Sequence, residues 1–111
     1  MANSSKKRIF VCDDDQLSVK VMGSLLENAG YHVDSTTKAN LAVDLIRETK
    51  PDCIVCDLMM PDIDGLNLCK QIRGSDDLKH ITFIMVSAKA YEFDEKRSYE
   101  FGANGYIRKP I

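Results

Sequence analysis

Residues 8–15 read Arg-Ile-Phe-Val-Cys-Asp-Asp-Asp, a short apolar run that stops abruptly in three carboxylates. The run is apolar at consecutive positions, the pattern of a strand buried on both faces. Leu17, Val21, Leu25 and Ala29 then recur every four residues, with Met22 and Leu26 widening the stripe. That spacing predicts a helix over 16–29 that packs through this stripe, and Gly30 stands where helices commonly end. The alternation continues outward. A strand at 32–36 precedes a helix marked by Leu41, Ala42, Leu45 and Ile46, which Pro51 ends. A strand CIVCD at 53–57 precedes a helix at 65–73 carrying Leu66, Cys69 and Ile72. A strand at 82–86, a highly charged helix at 93–101 and a strand at 105–108 complete the series. Such alternation predicts an α/β architecture. Parallel strands are joined by right-handed crossovers, helices cover both faces, and the strands are apolar on both sides.

A chain of 111 residues fits one domain. Hydrophobic residues at 44% and charged residues at 29% are ordinary globular usage and argue against disorder. No apolar run is long enough to span a bilayer, and the opening residues lack the apolar core of a secretory signal. A net charge of −2 offers no basic field for nucleic acid. The four cysteines (12, 53, 56 and 69) then read as free thiols of a reducing cytoplasm. Cys53 and Cys56 form a C-x-x-C inside a strand, where residues three apart face opposite ways. They read as small buried hydrophobes. His32 and His80 have no metal-ligand spacing to the thiols.

Ligands in a doubly wound parallel sheet bind beyond the carboxyl ends of its strands, so the residues just after each strand matter most. Asp13, Asp14 and Asp15 follow the first strand, Asp57 the third, Ser87 the fourth, and Lys109 and Pro110 the fifth. Carboxylates gathered at one rim repel one another. A hard divalent cation relieves that repulsion, and Mg²⁺ suits a site of few carboxylates and several waters. Carboxylates, a hard cation, a lysine and a hydroxyl together suit phosphoryl chemistry, with a carboxylate as nucleophile. Taken singly, each residue has a plainer reading. Adjacent aspartates form turns or helix caps, Asp15 above all as the cap of the first helix. Ser87 alone is a cap, Lys109 a surface lysine, and Tyr106 a half-buried strand aromatic.

Four separated signals overturn the plainer readings: VCDDD at 11–15, DLMMPDIDG at 57–65, VSAKA at 86–90 and YIRKP at 106–110. In this order and spacing the chain resembles the receiver domain of two-component response regulators, from about residue 8 to its last. The resemblance implies a flavodoxin-like sheet of order 2-1-3-4-5, an order the handful of known doubly wound folds includes. It implies one receiver domain over 1–111 with residues 1–7 as a flexible tail. Asp57 matches the phosphoacceptor. Asp13 and Asp14 match the acidic pair that holds Mg²⁺, Asp14 directly and Asp13 largely through water. Met59 matches the position whose backbone carbonyl is a metal ligand. Ser87 matches the hydroxyl that meets the phosphoryl group, here serine in place of threonine. Lys109 matches the lysine that pairs with Asp57, followed by a cis bond to Pro110. Tyr106 matches the aromatic switch position.

The implied role is a cytoplasmic phosphoacceptor switch rather than an enzyme with a separate substrate. Its phosphodonor is a sensor histidine kinase or a phosphotransfer protein. Its output is an effector or output domain met by the fourth helix and fifth strand, with no direct nucleic-acid or membrane contact. Receivers continue into a fifth helix, which this chain lacks after Ile111. The uncovered strand faces then favour association, a homodimer included, or loss of stability, and a piece of a longer regulator or hybrid kinase is the reading this favours. Met59 and Lys89 carry no acid or amide to orient water, which predicts slow autodephosphorylation. The rival within the fold is a phosphorylation-independent adaptor. A flavin protein would need a Ser/Thr/Gly-rich loop where VCDDDQ stands. An aspartate-nucleophile phosphatase would place D-x-D after its first strand.

Overall fold

A computed structural model describes residues 7–60, 64–88 and 92–109. The residues before Lys7, Lys89 and the bond to Pro110, all subjects of expectations above, lie outside the described residues. In chain order the elements are β1 (Arg8–Cys12), α1 (Gln16–Asn28), β2 (His32–Thr36), a 3-10 turn (Ala39–Leu41) and α2 (Ala42–Thr49). They continue with β3 (Cys53–Asp57), α3 (Gly65–Arg73), β4 (Thr82–Ser87), α4 (Glu92–Glu100) and β5 (Gly105–Arg108). The five strands form one parallel sheet of order β2-β1-β3-β4-β5, the doubly wound, flavodoxin-like arrangement expected. Among the described residues no fifth helix follows β5, and no helix is long and apolar enough to cross a membrane.

The period-two alternation of a strand divides the core into two layers. Phe10 and Cys12 of β1, Ile54 and Cys56 of β3, and Phe83 and Met85 of β4 face α2 and α3. There they meet Ala42, Ile46, Leu66, Cys69 and Ile72. Ile9 and Val11 of β1, with Cys53 and Val55 of β3, face the other way. They pack with Met22, Val19 and Leu26 of α1. Each fully buried large side chain in the first layer contributes about 1.5–3 kcal/mol.

Two expectations need correction. The helical stripe of Leu17, Val21 and Leu25 is not the buried one: these side chains are 68%, 52% and 50% exposed. At 100° per residue, that stripe lies roughly a third of a turn from the Val19, Met22 and Leu26 face that meets the sheet. Periodicity marks a helix as apolar on more than one side without saying which side is covered. The edge strands also fail to be buried on both faces. β2 carries no buried residue, and Ile107 and Arg108 of β5 are exposed, because an edge strand has a neighbour on one flank only.

Local chemistry sets the element ends. Asp15 caps α1, its carboxylate accepting from the Leu17 N–H at 3.1 Å and the Ser18 hydroxyl at 2.9 Å. Asp64 caps α3 through the Asn67 N–H at 2.9 Å. Lys50 ends α2 in the left-handed region at φ 51°, ahead of Pro51. Arg73, at the end of α3, donates to the carbonyls of Lys79, Ile81 and Gly102 and to Asn104 Oδ1. The same Asn104 oxygen accepts the Phe83 N–H at 2.8 Å. This clasp ties the loop that launches β5 to the start of β4.

Gly65 is the tightest approach beside the strand ends. A Cβ there would lie 2.6 Å from Met85 Sδ and 2.7 Å from the Asp57 carbonyl oxygen. Gly65→Ala is expected to lose about 1–3 kcal/mol to overpacking, read as a lower urea midpoint with an unchanged slope.

Candidate functional site

The carboxyl ends of β1, β3, β4 and β5 converge on one rim because the sheet is parallel and its central strands are in register. Asp13 follows β1, Asp57 ends β3, Ser87 ends β4, and Lys109 follows β5. Backbone hydrogen bonds lock these ends together. Leu58 N–H donates to the Val86 carbonyl at 2.8 Å, and Lys109 N–H to the Ser87 carbonyl at 2.8 Å. Gly65 N–H donates to the Leu58 carbonyl at 2.8 Å, closing the loop that leaves Asp57.

Asp13, Asp14 and Asp57 can each bring an oxygen within 4.8 Å of the others. Asp13 and Asp57 are buried, at 1% and 8% exposure, while Asp14 faces solvent. Both Asp13 oxygens are engaged. Oδ1 accepts the Asp15 N–H at 2.9 Å, and Oδ2 receives Lys109 Nζ at 2.8 Å. Lys109 therefore pairs with Asp13 first and stands 3.8 Å from Asp57, a refinement of the pairing with Asp57 that the sequence implied. Asp13 is the more buried of the two carboxylates, at 1% against 8% exposure.

These contacts shift the rim's acidities. Burial, then the charge of Asp13, raises the Asp57 carboxyl to about 6. Lys109 and the Met59 N–H pull it back down, and Asp14 adds a further upward push. Burial by itself lowers the Lys109 ammonium, but the hydrogen bond to Asp13 and the charges of Asp57, Asp13 and Asp15 outweigh it, so the net shift is upward. Among the described residues a single lysine is left to balance three carboxylates. An all-oxygen, net-negative donor set of this kind fits a hard divalent cation such as Mg²⁺.

The remaining residues named from the sequence are near but differently placed. Ser87 is fully buried. Tyr106 is half-buried against the α2/α3 core layer. Met59 points its side chain outward at 52% exposure, so what it offers the rim is backbone. Sequence reading missed three features: the clamp of Asp13 by the Asp15 N–H, the Met59 N–H that supports Asp57, and the close approach of Gly65. Only the Asp-Gly pair at 64–65 carried a signal, that of a tight loop before a helix.

The sequence matches the response regulator receiver domain family over residues 9–111. The chain belongs to that family. It is similar to the polar-differentiation response regulator DivK of Brucella anthropi, at 37% identity over 95% of this chain and 85% of that protein. It is also similar to the receiver domain of a signal transduction histidine kinase from Syntrophus aciditrophicus. There the identity is 31% over 95% of this chain and 80% of that one, with a TM-score of 0.85. A CheY-like receiver domain protein from Methanospirillum hungatei matches at 28% identity over 96% of this chain and 84% of that one, with a TM-score of 0.87. Membership makes this domain a signalling component of response regulators. Its relatives include both a regulator and a receiver taken from a kinase.

The raised pKa of Asp57 has a stability consequence. Between about pH 4 and the folded value of about 6, the folded receiver binds more protons than the unfolded chain, so stability falls as pH rises through that window. Asp57→Asn is expected to flatten this slope and to raise the urea midpoint at pH 7. Equal slopes in the two proteins would contradict the assignment.

Proposed function

We propose that this receiver is a phosphoacceptor switch in which Asp57 takes a phosphoryl group from a phosphohistidine. The observation that carries the reading is the rim itself: three carboxylates within mutual reach of a cation, and one lysine 2.8 Å from Asp13 and 3.8 Å from Asp57. An Asp57 oxygen attacks phosphorus, the phosphorus–nitrogen bond of the donor breaks, and the imidazole leaves. Asp13, Asp14, Asp57 and the Met59 carbonyl would hold Mg²⁺, which supplies charge neutralisation to the phosphoryl oxygens. Lys109 lies between the two buried carboxylates and can follow the charge from Asp13 toward the acyl phosphate. A carboxylate needs no general base, which agrees with the absence of histidine from the described rim.

The relay proposed is short. Ser87 Oγ donates to the phosphoryl group, the backbone after β4 shifts, and Tyr106 moves inward against the core it already touches. The altered surface is that of α4 and β5. Such a modification biases a two-state element, and a swing from 1:99 to 99:1 needs about 5.5 kcal/mol of differential stabilisation. The donor is a sensor histidine kinase or phosphotransfer protein of the cytoplasm. The domain modifies itself and turns over no separate substrate.

Intact mass after incubation with acetyl phosphate tests the reading. One phosphoryl group is expected with Mg²⁺ present. None is expected without Mg²⁺ or in Asp57→Asn. Lys109→Ala is expected to accept at least about tenfold more slowly. No gain under any condition would leave a phosphorylation-independent adaptor. A second measurement concerns lifetime. Met59 beside Asp57 has no group to orient water, so Met59→Asn is expected to speed loss of the phosphoryl group several-fold, followed by the same mass readout.

A further inference from the structure

The rim sits on a pair of thiols that the phosphoryl chemistry does not use. Cys12 immediately precedes Asp13, and Cys56 immediately precedes Asp57. The two cysteines are register partners on the adjacent parallel strands β1 and β3, so they face the same side of the sheet. Both are fully buried and both are reduced. Neighbouring strands run about 4.7–4.9 Å apart, inside the Cα separation of about 4.4–6.8 Å that a disulfide spans. Cys12 Sγ also contacts Met60 Sδ at 3.6 Å, which places its thiol in the core beneath the rim. The other two thiols are placed elsewhere. Cys53 belongs to the opposite face of β3, and Cys69 Sγ donates to the Phe101 carbonyl at 3.5 Å. Hydrogen bonding to Cys12, then burial, pushes the Cys56 thiol well above its usual range.

We propose that Cys12 and Cys56 are an oxidative modification site, closing to an intrachain disulfide that draws the ends of β1 and β3 together and disables the acidic rim above them. With hydrogen peroxide as oxidant the step balances. One sulfur gives two electrons to the peroxide, breaking its oxygen–oxygen bond and becoming a sulfenic acid as one water leaves. The second sulfur then attacks the first, and its proton departs with the hydroxyl as a second water. Net, two thiols and one peroxide become one disulfide and two waters. Closing the sulfurs from non-bonded contact to about 2.05 Å moves the residues one position below Asp13 and Asp57. That movement reaches the rim through the backbone. A small disulfide such as oxidised glutathione can act instead, leaving as two thiols.

The effect on phosphoryl acceptance rests on the function proposed above; the cross-link itself does not. The test treats the folded chain with hydrogen peroxide over hours, blocks residual thiols, and measures intact mass with peptide mapping. Loss of two hydrogens, a link between residues 12 and 56, and two thiols left for blocking are expected. Cys12→Ala and Cys56→Ala should each retain all remaining thiols. Phosphoryl uptake from acetyl phosphate should fall at least about tenfold in the oxidised protein and return with dithiothreitol, while Cys12→Ala should be indifferent to the oxidant. Four blockable thiols after treatment, or a link through Cys53 or Cys69, would overturn the site. An unimpeded uptake by cross-linked protein would overturn its control of the rim. Should the reduced protein take up no phosphoryl group, the reading of function fails. Chemical shifts of Asp13 and Asp57 that stay put on cross-linking would then overturn the coupling.

Discussion

Like charge held in a confined space is the constraint around which this receiver is arranged. Asp13, Asp14 and Asp57 are brought within reach of one another at the ends of two central strands, and two of the three are buried. Such a gathering costs free energy, visible in the raised Asp57 carboxyl. Lys109 offsets part of it by bonding Asp13 at 2.8 Å. Its own position depends on the strand pairing that carries β5 alongside β4, and on the hydrogen bond from Lys109 N–H to the Ser87 carbonyl. The stability of the sheet thus sustains an unfavourable cluster, and perturbed pKa values of this kind gather at functional sites.

The scaffold that sustains the cluster is divided by side. The layer beneath α2 and α3 is well filled, with Phe10, Ile46, Ile54, Leu68, Ile72, Phe83 and Met85 all fully buried. The layer beneath α1 is thinner, and Leu17, Val21 and Leu25 of that helix stay in solvent. The rim's supports come mostly from the filled side: Gly65 against Met85, and the Arg73–Asn104 clasp that sets where β5 begins. A precise site on one side of a sheet is consistent with a less finished surface on the other.

Much of the architecture was legible because the local signals agree with the fold. β1, β2, β3, α3 and β5 lie where apolar runs and their breakers placed them. The departures have local causes. Ser87 extends β4 because its carbonyl accepts from Lys109 N–H. The second helix begins as a 3-10 turn over Ala39–Leu41, where no side chain caps it. The site was legible as residue types in order, since VCDDD, DLMMPDIDG, VSAKA and YIRKP each end a strand. Which carboxylate Lys109 meets first was not, because that depends on how β5 is set beside β4 and so against β1 and β3.

The sequence by itself determined the alternation of strands and helices, the parallel sheet and the set of residues at its rim, because hydrophobic period and turn chemistry act over a few neighbouring residues. Only the tertiary structure decided the distances and burial that give those residues their chemistry. It placed Lys109 against Asp13, aligned Cys12 with Cys56 under the rim, and turned one apolar stripe of α1 toward solvent. Each of these depends on how separate segments are set against one another, and electrostatics and packing respond to distances that no local pattern encodes.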